Sequence, residues 1–186
     1  MLNKVATQID RAGEIVKGLR RLMSADTTVH RPENVAAMIG AAAKLSQSSF
    51  DAAGANLVLD IANDLGTIAA DRVQIQQLLV CLLENAAEAT AGQPVREVAL
   101  KAWRTGETLQ IAISDSGAGL PDEIAAMLSD SFAATRLIGS GLGLPIARQV
   151  LKMHEGTMQA TPNAPSGTVF SLNLPYRELA PASHQA

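Results

Sequence analysis

The sequence holds a single cysteine, Cys81, in 186 residues. That excludes an internal disulfide and a cysteine-rich zinc site. Aromatic residues make up only 3%, so the core must be built from Ala, Leu, Ile and Val. The net charge is −3 and no Lys/Arg run stands out, so electrostatics give a nucleic-acid partner no support. No apolar run reaches membrane-spanning length and the first residues lack a signal-peptide layout. The expectation is a cytoplasmic chain, or the cytoplasmic part of a larger sensor, with no membrane contact of its own. What remains is long enough for one domain with a sizeable core plus an extra element. Its 47% hydrophobic against 18% charged residues suits a globular protein.

Periodicity divides the chain into elements. Leu2, Val5, Ile9, Ala12, Val16, Leu19 and Met23 alternate steps of three and four, the seam of a bundle or coiled coil. One helix is therefore expected over 1–24, half of a hairpin that dimerises. A polar connector with a short strand near Thr27–His30 follows, and Pro32 suits the first turn of a helix running from Glu33 to Leu45. Leu57, Leu59 and Ile61 alternate as a strand, and Thr67–Ala70 is a short extended piece. Asp71 caps a long helix whose buried face is Ile75, Leu78, Leu79, Leu82, Leu83 and Ala86. Asn85 borders that face. Strands are expected over Arg96–Trp103 and Leu109–Ser114, with Asp115 continuing the Leu109, Ile111, Ile113 face. A short helix from Pro121 and a mobile loop from Ser129 lead to a helix over Leu144–His154, stopped at Gly156. Two strands, Thr157–Thr161 and Gly167–Leu174, close the domain at about residue 176, and a disordered tail is expected over 177–186.

Two glycine-rich turns frame the middle of this order. Asp115-Ser-Gly-Ala-Gly119 follows an alternating apolar run, and Gly139-Ser-Gly-Leu-Gly-Leu144 feeds a helix N-terminus. Glycine lets a backbone approach a ligand closely, and a helix N-terminus offers unpaired N–H groups to phosphate. An ionised Asp is acceptor-only, so Asp115 at a pocket floor selects adenine by its exocyclic amine. Asn85 offers a neutral carbonyl oxygen suited to Mg²⁺. Arg136 can grip a terminal phosphate bidentately. Singly, each has an ordinary reading: Asp115 as a turn cap, Asn85 as a helix-surface residue, Arg136 as a solvated charge. In this order and on these elements, the nucleotide reading prevails.

The same stretches resemble the boxes of bacterial sensor histidine kinases. Leu83-Glu-Asn-Ala-Ala-Glu-Ala89 is similar to the N box, and Asp115–Gly119 to the first glycine box. Ser131-Phe-Ala-Ala-Thr-Arg136 resembles the phenylalanine box and lid, Gly139–Leu144 the second glycine box, and Ser166-Gly-Thr168 the last small one. Asp71-Arg-Val-Gln-Ile-Gln-Gln77 resembles the subgroup of nitrogen-fixation oxygen sensors and nitrogen-regulation kinases, and Arg11-Ala-Gly-Glu-Ile-Val16 its second dimerisation helix. The resemblance implies an α/β two-layer sandwich, a mixed sheet packed on three helices and preceded by one long dimerisation helix. It implies ATP and Mg²⁺, with Asn85 on the metal and Asp115 on the adenine amine. Gly117 and Gly119 would line the base pocket. Gly139, Gly141 and Gly143 would let the backbone approach phosphate, with Thr135, Leu144 and Thr168 also at the nucleotide. Asn85 and Arg136 are the candidates for the transfer itself. Implied partners are a response regulator, the protein's own hairpin helix bearing the acceptor histidine, and a second copy joined through the first helix.

Departures from that pattern are specific. Cys81 stands where the family usually has a second Asn one turn before Asn85. Glu84 is one residue from Asn85 and points about 100° away around the helix, a poor substitute for the catalytic Glu of the gyrase-type hydrolases. Of His30, His154 and His184, none sits on a long helix; His154 precedes Gly156 and reads as a helix-end residue. The acceptor is expected on another segment or chain. Two other functions stay open: an interaction module that binds nucleotide without transferring phosphate, and a serine kinase of the anti-sigma type.

Overall fold

The computed structural model describes residues 30–120 and 143–176. The helix expected over 1–24, the short helix from Pro121, the following loop with Thr135, Arg136, Gly139 and Gly141, and the tail after Tyr176 lie outside them. The described chain runs β1 (Arg31–Asn34), α1 (Val35–Leu45), α2 (Gln47–Ala53), β2 (Asn56–Ile61), β3 (Thr67–Ala70), α3 (Arg72–Thr90), β4 (Glu97–Thr105), β5 (Thr108–Asp115), α4 (Gly143–Met153), β6 (Thr157–Pro162) and β7 (Thr168–Pro175).

Five strands form one mixed sheet in the order β2-β4-β5-β7-β6. β2 runs parallel to β4 and every other pair is antiparallel. Alternation decides which face is covered. Leu109, Ile111 and Ile113 of β5 lie opposite Leu174, Leu172 and Phe170 of β7, and all six are buried. Leu100 and Ala102 of β4 continue these rows across the sheet. The helices lie on that face. α3 contacts β4, β5, α1 and α4, so it is the central helix of the layer, and α4 also reaches β6. Its buried stripe, Ile75, Leu78, Leu79, Leu82, Leu83 and Ala86, matches the face read from the sequence. Burying each such Leu or Ile contributes roughly 1.5–3 kcal/mol, which offsets the poor aromatic content of this core.

The helix starts follow from capping. Asp71 Oδ1 accepts from the N–H groups of Val73 at 3.0 Å and Gln74 at 3.1 Å, satisfying two orphan donors of α3. Asn34 does the same for α1, accepting from Ala37 N–H at 2.8 Å. This corrects the expected start of that helix. Pro32 is not in its first turn but in β1, opposite Ala69 of β3. A two-stranded ribbon leaves one side of β1 unpaired, so a proline without an N–H is tolerated there. The strand expected near Thr27–His30 lies almost wholly outside the described residues, of which only His30 is included. α2 is an addition: Ser46, buried, ends α1 with its hydroxyl on Ala42 O and begins a seven-residue helix that buries Phe50. At the far end of α4, Glu155 takes the left-handed turn at φ 55. Gly156 is needed for a different reason, since a Cβ there would meet Asn173 O and Leu174 Cδ2 at 2.8 Å.

Candidate functional site

Asp115 is the last residue of β5 and sits in the core-facing row, one pleat beyond Ile113 and opposite Val98. The alternation that buries Leu109, Ile111 and Ile113 therefore buries a carboxylate as well; Asp115 is 2% exposed. A buried carboxylate needs donors. Its Oδ1 accepts from Gly117 N–H at 2.8 Å and from Thr168 N–H at 3.2 Å. Its backbone carbonyl accepts from Asn163 Nδ2 at 2.8 Å. Burial pushes the carboxyl above the usual carboxylate range, while the Gly117 and Thr168 N–H groups pull it back down. The side chain is thus fixed from both its own turn and the start of β7.

The turn after Asp115 is shaped by what it touches. A Cβ on Gly117 would lie 2.6 Å from the carbonyl oxygen of Ala89, so this glycine rests directly on the last full turn of α3. Gly119 adopts φ +80 and faces Gly167 O at 3.3 Å from its would-be Cβ. Gly167, at φ +114, leaves no room at all: a Cβ there would collide with the Asp115 carbonyl oxygen. Asp115, Gly117, Gly119 and Thr168 are therefore brought together, as the sequence suggested. Gly167, from the last small glycine box, and Asn163, which no local pattern marked, join them.

Asn85 lies one helical turn before Ala89 on α3, about 6 Å along the axis, so it borders the turn that Gly117 anchors. It is half-buried, and its Nδ2 donates to Cys81 Sγ at 3.7 Å. With the amide nitrogen engaged, the carbonyl oxygen Oδ1 is the atom suited to a hard cation. Among the described residues no group of three His, Cys, Asp or Glu side chains could hold a metal alone. A cation there would have to share its shell with phosphate oxygens, as Mg²⁺ does. At the other end of the constellation Gly143 opens α4, and Leu144 turns into the core at 6% exposure. Thr135, Arg136, Gly139 and Gly141 lie outside the described residues.

His154 is accounted for by packing. It is 5% exposed, its Nε2 accepts from Asp71 N–H at 3.0 Å, and its Nδ1 lies 2.8 Å from Val150 O. Both ring nitrogens are engaged, which leaves neither as a nucleophile.

A sheet of this order, backed by three long helices and carrying a pinned carboxylate beside a helix-borne Asn, defines a class of ATPase. Residues 70–178 match the family described as histidine kinase-, DNA gyrase B-, and HSP90-like ATPase, and the chain belongs to it. Among curated relatives it is 33% identical over 175 residues to the sensor protein FixL of Bradyrhizobium diazoefficiens, covering 94% of this chain and 35% of that protein. It is 31% identical over 182 residues to the C4-dicarboxylate transport sensor protein DctS of Rhodobacter capsulatus, covering 96% of this chain and 28% of that one. The chain thus spans about a third of the length of these relatives. The Acinetobacter baumannii histidine kinase AdeS shares the fold at a TM-score of 0.74 and 20% identity, over 95% of this chain and 84% of that one. The catalytic domain of the histidine kinase ThkA superposes at 0.67 with 25% identity, over 79% of this chain and 95% of that one. No helix among the described residues is long and apolar enough to cross a membrane.

Proposed function

We propose that this chain is the ATP-binding catalytic domain of a two-component sensor histidine kinase. It binds ATP with Mg²⁺ and transfers the γ-phosphoryl group to a histidine on a dimerisation helix. The observation that carries this is the immobilised Asp115. Its Oδ1 is taken by two backbone N–H groups, and Oδ2 of the same carboxylate accepts the adenine amine. Gly117, Gly119 and Gly167 bring backbone close enough to form a flat base slot. Asn85 Oδ1 would hold the Mg²⁺ that accompanies the nucleotide, and the metal would supply charge neutralisation to the phosphates. The glycine turn that ends at Gly143 gives the triphosphate the N-terminus of α4, and Arg136 of the lid contacts the γ-phosphate. In the step itself the bond from the γ-phosphorus to the β-bridging oxygen breaks, an N–P bond forms and the acceptor imidazole loses a proton. The catalytic task of this chain is to hold the donor in line.

The acceptor is placed on another segment because His154 is locked on both nitrogens and His30 precedes a strand. On this reading residues 1–24 would supply the second helix of a dimerising hairpin, and a response regulator is the onward partner. The names of the relatives support this reading: they are sensor proteins, and ThkA has been crystallised with the response regulator TrrA. The test is labelling with ATP carrying radioactive γ-phosphate. The chain alone stays unlabelled, and a hairpin from the full-length protein gains acid-labile label. Tight ATP binding with no label on the hairpin would favour the interaction module; acid-stable label on serine would favour the anti-sigma type.

The metal role makes a separate prediction. Asn85→Ala removes the carbonyl oxygen from a half-buried position, so melting should change little. Mg²⁺-dependent ATP affinity should fall by about tenfold, the equivalent of about 1.4 kcal/mol. Calorimetric titration with and without Mg²⁺ checks it. Equal affinities for wild type and variant in Mg²⁺ would remove Asn85 from the metal.

A further inference from the structure

His154 joins α4 to α3 at the ends of these helices away from Ala89 and Gly143. It follows α4 directly, while Asp71, whose N–H it holds, is the N-cap of α3. The tautomer is fixed by its partners. Val150 O is a carbonyl and can only accept, so Nδ1 carries the ring's hydrogen. Asp71 N–H can only donate, so Nε2 is the bare nitrogen. An incoming proton has one place to go, and there it meets a donor head-on. The pair is enclosed as well: His154 is 5% exposed, and the ring of His30, just before β1, lies against it with centroids 4.8 Å apart.

We propose that His154 is a proton-operated latch: protonation at Nε2 expels the Asp71 N–H and frees the C-terminal end of α4 from the start of α3. The groups whose charge acts on the ring are Asp71 on α3 and His30 before β1. Burial disfavours the charged ring, the Val150 hydrogen bond opposes that, the His30 charge reinforces it and Asp71 opposes it; the net effect holds the ring's pKa below the usual histidine range. In the unfolded chain the ring binds its proton at the ordinary value, so the unfolded state takes up protons first. Stability from the latch is complete above that value and is lost as pH falls towards the lower folded value. Because α4 begins at the glycine turn assigned above to phosphate, opening the latch also weakens nucleotide binding. This second effect rests on the nucleotide reading; the first does not.

The test is an NMR titration of the nucleotide-free chain from about pH 8 to about pH 5, following His154 and the Asp71 amide. His154 should titrate below the ordinary histidine range. Hydrogen-exchange protection of the Asp71 amide, corrected for intrinsic exchange, should fall about tenfold with the same midpoint. His30→Gln removes the repelling charge and should move that midpoint upward. His154→Gln should abolish it; if that variant does not fold, the wild type and His30→Gln decide alone. An Asp71 amide that stays protected while His154 titrates, or a midpoint unmoved in His30→Gln, overturns the latch. ATP titrations at both ends of the range read the coupling. Wild type should lose at least about threefold more affinity on acidification than His154→Gln, and an equal loss overturns the coupling. Absence of ATP binding even at the alkaline end would instead sink the nucleotide reading and leave the latch standing.

Discussion

Asp115→Asn is expected to weaken ATP binding by roughly 10- to 100-fold, since losing a hydrogen bond to a charged group costs about 1.5–3 kcal/mol. The same change should leave the melting temperature unchanged or raise it. The two expectations have opposite signs because, on the proposed function, the carboxylate serves the ligand while its burial costs the fold. Its pKa is raised by burial, so the unfolded chain ionises more readily than the folded one. Between the ordinary carboxylate value and the raised folded value, stability declines as pH rises, and near neutrality the charge is a standing cost. Asn keeps an oxygen for the Gly117 and Thr168 N–H groups and removes that cost. It presents an NH₂ group to the adenine amine, donor against donor, and should relax discrimination against GTP. Titrating both nucleotides against both proteins, with melting curves alongside, checks this. Unchanged ATP affinity would take Asp115 out of the base slot. ATP affinity of the wild type should also fall on acidification, with onset at a higher pH than an ordinary carboxylate would give.

Gly167→Ala is expected to be the most destabilising Gly-to-Ala change among the described residues. Two costs add. The residue sits at φ +114, where an L side chain is strained by about 1–3 kcal/mol. The new Cβ would also run into the Asp115 carbonyl oxygen and lie 3.0 Å from Oδ1. Neither neighbour can yield freely, because the carbonyl is held by Asn163 and Oδ1 by Gly117 and Thr168. Relief comes only by pushing the start of β7 away from the end of β5, which breaks the Thr168 bond. A total on the order of 3 kcal/mol corresponds to roughly 6–12 °C in melting temperature for a domain of this size. ATP affinity should fall even below the melting transition. A shift of less than about 2 °C would show that the close approach is not present in solution.

How far these features could be read in advance depends on the range of the interaction behind each. The α3 face and the β5 alternation are local and periodic, so Ile75 to Ala86 and Leu109 to Ile113 were legible, and with them the burial of Asp115. The Asp71 cap was legible because it acts within three residues. α2 was not: a seven-residue helix that buries only Phe50 has no period to detect. Pro32 misled because a proline before an apolar run fits a first helical turn as well as an unpaired ribbon edge. The local signal that favours β1 is Asn34, a better cap than Arg31, which stands immediately before Pro32. Gly167 falls within a small glycine box, but its need for hydrogen in place of a side chain comes from Asp115, on another strand. The Thr168 and Asn163 contacts that fix Asp115 span 53 and 48 residues. His154 was read as a helix end, which it is; its bond to Asp71 spans 83 residues and could not be read locally.

The position of β7 has a consequence for how the protein is made. It is the last described strand yet lies inside the sheet, between β5 and β6. A nascent chain emerging from a ribosome would have β2, β4 and β5 available long before β7, and β5 would present an open edge with Asp115 at its end, short of the Thr168 and Asn163 donors. The contacts that fix Asp115 are complete only when that strand docks, so a ligand that needs them would stabilise only a chain whose translation has passed it. A copy cut short before β7 would keep the Asp115 turn and yet lack the Thr168 donor that holds its carboxylate.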